Sequence, residues 1–168
     1  MSMINYETDH MIRMEEGYDI AQICHKGHVI NSCAKVYPQF NQKFCQICGS
    51  ATTTSCLECH TPIRGSYLDG LAAAGYKAPA FCINCGCPFP WTQTRITAAL
   101  ELAQDIDTLS EVDKALLKQC IDDLITDSPF IMVAITRLKK IMTKAGPEAA
   151  LLFREILMDV TPESVWAL

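Results

Sequence analysis

The sequence predicts an α+β protein, with a small N-terminal β-hairpin double zinc ribbon followed by a C-terminal α-helical bundle. Three observations point there. Nine of the ten cysteines lie between Cys24 and Cys87, most of them in C-x-x-C pairs. Short runs of alternating polarity, broken by Gly, Pro and Asn, connect those pairs. After Trp91 the apolar residues recur at helical spacing instead. The expected divisions are a flexible tail over 1–19, a double ribbon over 20–91 and a helical region over 92–168.

The first nineteen residues, MSMINYETDHMIRMEEGYD, are too polar for a secretory signal, and they carry no motif. No run in the chain approaches the roughly 18 apolar residues of a membrane span. A cytoplasmic protein without membrane attachment is therefore expected. In a reducing compartment, close cysteine pairs read as metal ligands or redox dithiols before they read as disulfides.

The candidate ligand groups, in order, are Cys24-His25-Lys26-Gly27-His28, Cys45-x-x-Cys48-Gly49, Cys56-x-x-Cys59 and Cys82-x-x-Cys85-Gly86. Four pairs make two four-coordinate sites, and two structural Zn²⁺ ions are the expected cofactors. Zinc takes tetrahedral thiolate and imidazole ligands, and spacings of two to four residues let one tight turn supply two of them. KFCQICG at 43–49 resembles AFCINCG at 80–86, as if one unit were written twice. That repeat favours a sequential pairing, with Cys24, His28, Cys45 and Cys48 holding one ion and Cys56, Cys59, Cys82 and Cys85 the other. A crossed brace and a central ribbon from Cys45 to Cys59 are the rivals, and both use the same eight residues.

Cys33 and His25 are alternatives to His28 in the first group. Adjacent residues point apart and rarely chelate one ion together, which disfavours His25 beside Cys24 and His60 beside Cys59. Cys33 reads as a small buried hydrophobe, and Cys87, in the place of Ser50 in the earlier copy, as a bystander. HVIN, KVY, SATTT and RGSYL are the candidate strands. A catalytic zinc needs an open position and a proton-moving group nearby. Here eight ligands close two sites, only Glu58 and Asp69 are acidic across 20–91, and no catalytic residue is assigned. A redox dithiol usually opens a helix in a βαβ setting, which this region lacks.

Helices follow. Thr92 or Thr94 opens a first one, with Ile96, Leu100 and Ala103 in register, ending near Asp107. Ser110-Glu111-Val112-Asp113 has the form of a capping box, and the helix it starts carries Val112, Leu116, Leu117, Cys120, Ile121, Leu124 and Ile125. Ser128-Pro129 signals a third start. Gly146 ends that helix, Pro147 begins a fourth, and Thr161-Pro162 closes it. Leftover apolar surface makes self-association through this region plausible.

Residues 20–95 carry a net +4 before metal, and about +1 once seven thiolates and two Zn²⁺ are counted. Residues 96–168 carry −5. Duplex nucleic acid requires a basic stripe, and none is present. Tyr37, Phe40, Tyr67 and Tyr76 leave single-stranded nucleic acid as a possible partner.

Several segments carry a family resemblance: AQICHKGHVIN at 21–31, YPQFNQKFCQICG at 37–49, CLECHTPIRGSY at 56–67 and PAFCINCGCPFPWT at 79–92. Together with SEVDKALLKQCIDDLITDSP and AITRLKKIMTKAG in the helical half, they resemble an uncharacterised bacterial zinc-ribbon family, domain of unknown function 2321. The resemblance runs from about residue 18 to the C-terminus. It implies zinc knuckles, a helical tail and no established activity. The family's metal pattern carries over onto Cys24, His28, Cys45, Cys48, Cys56, Cys59, Cys82 and Cys85, whereas Cys33, Cys87 and Cys120 depart from it. The expected function is a non-enzymatic zinc-binding adaptor that meets a partner protein, motivated by the weakly charged loop LDGLAAAGYKAPA at 68–80. A single-stranded nucleic-acid-binding ribbon is the alternative, and a thiol redox switch or enzyme the least favoured.

Overall fold

The computed structural model describes residues 17–68, 75–126, 129–158, 160–161 and 163–166. Among the described residues there is an α+β arrangement of five short strands followed by four helices. Strands β1 (Tyr18–Ile20) and β2 (Gln22–Cys24) are nearly continuous. The chain changes sheet at Ala21, whose amide donates to Ile63 O. β1 pairs antiparallel with β5 (Arg64–Tyr67), while β2 lies between β3 (Val29–Asn31) and β4 (Thr52–Thr53) in a second, three-stranded sheet.

β1 begins at Tyr18, inside the stretch expected to be a tail; residues 1–16 lie outside the described ones. Another difference concerns KVY at 35–37, which forms a turn rather than a strand. The cause is Asp19. Its buried carboxylate accepts from the Lys35 and Val36 amides, each at 3.1 Å, and this curls the chain back. The loop from Ser32 to Gln42 is then pinned by two further polar side chains. Asn31 Nδ2 donates to Tyr37 O at 2.9 Å, and Gln22 Oε1 accepts from the Gln42 amide at 2.8 Å. Buried polar groups must be paired, and here the pairing replaces an apolar core that so small a ribbon cannot build.

Gly65 marks the closest approach. A Cβ at this position would lie 2.3 Å from Ser32 O, 2.8 Å from the Ile20 carbonyl carbon and 2.9 Å from that of Asp19. Only glycine lets β5 cross the loop there and place the Ser66 amide 2.8 Å from Ser32 O.

The helices are α1 (Pro90–Gln104), α2 (Glu111–Ile125), α3 (Ile131–Ala145) and α4 (Pro147–Leu157). α1 starts two residues before Thr92, with Pro90 in its first turn, where the absent amide costs nothing. The Ser110 capping box is present: Ser110 Oγ accepts from the Asp113 amide at 3.2 Å, and Asp113 returns the bond to the Ser110 amide. Gly146 ends α3 and Pro147 opens α4. Pro129 lies in the turn before α3 rather than in its first turn, and Ser128 lies outside the described residues. The fourth helix stops at Leu157, four residues before Thr161. Lys144, in the last turn of α3, pairs with Asp113 at 2.7 Å. That ion pair, with the Ser110 hydroxyl, holds the Asp113 carboxyl below its ordinary range. Among the described residues, no helix is long and apolar enough to cross a membrane.

Two cores result. One fills the bundle, around Leu117, Cys120, Ile121, Leu124, Ile141, Phe153 and Leu157. The other joins Ala21, Ile23, Ile63, Phe89 and Trp91 to Cys56 and Cys82. Trp91 thus belongs to α1 by backbone and to the ribbon core by side chain. Its Nε1 donates to Pro79 O at 2.8 Å, and Thr92 Oγ1 donates to Ala80 O at 2.8 Å.

Candidate metal centres

Three stretches adopt one turn. In each C-x-x-C, the amide of the residue just after the second cysteine folds back in the same way. The amides of Gly49, His60 and Gly86 donate to the carbonyls of Cys45, Cys56 and Cys82 at 2.8, 3.0 and 2.9 Å. The Cys45, Cys56 and Cys82 amides donate in turn to the carbonyls of Ser50, Thr61 and Cys87 at 2.8, 2.9 and 2.9 Å. Isolated bridges Phe44 to Ala51, Ser55 to Pro62 and Phe81 to Pro88 close each turn at its base. The repeat visible in sequence at 43–49 and 80–86 therefore has a third copy at 55–62.

That copy was hidden because His60 occupies the glycine position. The residue after the second cysteine has φ of 71° at Gly49 and Gly86, and 59° at His60. Glycine adopts this left-handed conformation freely; other residues are disfavoured there by roughly 1 kcal/mol. His60→Gly is accordingly expected to stabilise the protein by about 1 kcal/mol, read as a rise in the thermal midpoint. An unchanged or lower midpoint would show that the His60 side chain does more than fill a turn. Its ring is exposed and lies outside both donor groups.

The fourth turn differs. It joins β2 to β3, with the Gly27 amide donating to Cys24 O at 2.8 Å and the His28 amide to Cys24 Sγ at 3.3 Å. This places His28 Nδ1 at 3.5 Å from Cys24 Sγ and 3.6 Å from Cys45 Sγ.

The eight side chains gather in the sequential pairing. Donor atoms of Cys24, His28, Cys45 and Cys48 lie within 4.8 Å of one another, as do those of Cys56, Cys59, Cys82 and Cys85. Cys24 and Cys48 Sγ are 3.8 Å apart; in the second group Cys56 and Cys85 are 3.8 Å apart and Cys59 and Cys82 3.5 Å. Four sulfurs about 2.3 Å from a central ion form a tetrahedron with edges of about 3.8 Å, and a nitrogen at about 2.0 Å shortens an edge to about 3.6 Å. The short contacts in both groups lie close to these edges, so each could hold one metal ion. Cys33 is half-buried beside the Ser32 hydroxyl rather than fully buried, and neither it nor His25 joins the first group. Cys120 is buried in the bundle, which pushes its thiol up.

Within each group the thiols shift in opposite directions. Cys48 is lowered to about 6, chiefly by the Ser50 hydroxyl and amide. Cys59 is lowered to about 5 by the equivalent Thr61 hydroxyl and amide. Their neighbours move the other way: burial raises Cys24, and the sulfurs around Cys85 outweigh its amide bond from Cys87 and raise it. The copy at 80–86 has a thiol, Cys87, at the position where the other two have a hydroxyl donor. Metal ligation needs all of these sulfurs as thiolates, and a divalent cation supplies the charge that lets them coexist.

Fold and site together define an α+β protein with two closed four-donor groups, each able to take a metal ion. The chain belongs to the domain of unknown function 2321 family, described as an uncharacterised protein conserved in bacteria, whose model matches residues 17–167. No curated protein and no solved structure matches it.

Proposed function

We propose that this protein is a non-enzymatic adaptor in which two structural Zn²⁺ ions hold loops for a partner protein. The observation that carries this reading is the closure of both groups: four protein donors each leave no coordination position for water or substrate. Among described residues 17–91 the carboxylates are Asp19, committed to backbone amides, and Glu58, exposed on a knuckle. Neither supplies the proton relay a hydrolytic zinc uses. Zinc also fits the mixed sulfur and imidazole donor set.

The knuckles present apolar tips outward. Ile47, Leu57 and Ile83, each between the two cysteines of its turn, are 70%, 51% and 64% exposed. Such residues are unusual on a solvated surface and suit a protein partner. The loop at 68–80 that first suggested a contact surface falls partly on residues 69–74, outside the described ones. Exposed Met132, Leu151 and Leu152 on α3 and α4 support assembly or docking by the helical half.

Metal analysis of the purified chain is expected to give two zinc ions per polypeptide, and Cys85→Ser one. Under native conditions Cys33 and Cys87 should react with a thiol reagent, and Cys120 only on unfolding. Fewer zincs with more reactive thiols would overturn the structural assignment in favour of redox chemistry. For the partner, Ile47→Ser with Leu57→Ser should abolish protein capture by the tagged chain while zinc content stays at two; capture that survives the pair would remove the knuckles from the interface.

A further inference from the structure

A cleft of about 380 Å³ opens along β5. Tyr18, Arg64, Ser66, Tyr67, Tyr76 and Lys77 line it. The Arg64 guanidinium sits 4.5 Å from the Tyr18 ring centroid, and Tyr18 meets Tyr67 edge to face at 5.2 Å. Both rings stay open to solvent, at 57% and 43%. Tyr76 donates its hydroxyl to Arg64 O, which fixes the backbone beneath the guanidinium, and burial keeps that phenol protonated, up to about 12. Beneath the floor, the buried Ser66 hydroxyl has no hydrogen-bond partner among the described residues. An unpaired buried hydroxyl is costly, so packing alone gives no account of it. Among the described residues the lining holds Arg64 and Lys77 and no carboxylate.

Cations beside open aromatic faces select an anion that carries a flat ring. Stacking on tyrosine is insensitive to which base is offered, and an arginine already held against a ring keeps its outer donors for phosphate. The volume lies at the low end of small-ligand sites, which run from about 300 to 1,000 Å³. With metal loaded, the ribbon has too little net charge to grip a long phosphate backbone. We propose that this cleft binds a single nucleotide unit, its base stacked on Tyr67 and Tyr18 and its phosphate held by Arg64. The unit comes either from a free nucleotide or from one residue of a single strand, and the site is independent of the protein-partner surface on the knuckles.

The test titrates the zinc-loaded full chain at physiological salt with adenosine monophosphate and with a ten-residue oligothymidylate, following backbone amide shifts. Shifts concentrated at Tyr18, Arg64 to Tyr67 and Tyr76 are expected. Arg64→Gln and Tyr67→Leu should each weaken binding roughly tenfold, the scale of one stacking or charged contact, while zinc content remains two. The two probes separate the sources. Comparable affinities identify the free nucleotide, and an oligonucleotide bound at least about tenfold tighter identifies the single strand. Absence of shifts at these amides with either probe, or binding unaltered in both variants, overturns the proposal and leaves zinc loading and protein capture untouched.

Discussion

Chelating the metal from the full chain is expected to unfold residues 17–91 and leave the bundle standing. The ribbon's five strands span two to four residues each. Its seven-residue core includes two of the donor cysteines, Cys56 and Cys82. Burial on that scale cannot offset the conformational entropy of some seventy residues, which runs to about 1 kcal/mol or more per residue. Structural zinc contributes apparent free energies of about 10–16 kcal/mol in small domains. Without an ion, Cys48 and Cys59, lowered to about 6 and about 5, are thiolates at neutral pH and repel any further ionisation around them. The bundle has sixteen buried core residues and no donor group among them. In an amide correlation spectrum, signals from 17–91 should collapse to random-coil positions while those of α2 to α4 keep their dispersion. A chelated, metal-free sample with the ribbon signals intact would sink the structural role of the metal. Acid should act like chelation, because protons compete with the metal for the thiolates and the imidazole.

Gly65→Ala should be the most damaging single substitution away from the donors. The added methyl would meet Ser32 O at 2.3 Å, along with the carbonyl carbons of Ile20 and Asp19. All three are backbone atoms, so no rotamer change relieves the clash. β5 would have to move away from the loop, breaking the Ser66 amide bond to Ser32 O and loosening the turn that Asp19 caps. Overpacking of this kind costs about 1–3 kcal/mol and the lost hydrogen bond about 1 kcal/mol more. A destabilisation of about 3 kcal/mol is expected in denaturant unfolding of the metal-loaded protein. A change under about 1 kcal/mol would mean that the loop and β5 are not held against each other.

Much of this architecture was readable in advance because it rests on local chemistry. Cysteine spacing selected the eight donors that the fold gathers, since a two-residue gap is what one turn can present to one point. Ser110 with Asp113, and Gly146 with Pro147, act within a few residues and mark helix ends wherever they occur. What the sequence concealed depends on distant partners. β1 is three residues long and finds its mate more than forty positions away. KVY has strand composition, but Asp19, sixteen residues before Lys35, captures its amides. The third knuckle copy was masked by one histidine, because the eye searches for the glycine that relieves strain and not for the hydrogen bonds that impose the turn.

The two tryptophans divide between the two cores. Trp91 is buried, stacks on Phe89 at 4.7 Å between centroids, and sits so near the first donor turn that a methyl on Gly27 would lie 3.1 Å from its Cβ. Trp166 donates to Thr161 Oγ1 and packs against the bundle. The protein therefore carries an intrinsic pair of optical probes, one for each half. With Trp166→Phe, the remaining indole emission follows both donor groups at once, shifting to the red as water reaches Trp91. With Trp91→Phe, the signal is blind to the metal and reports the helices alone.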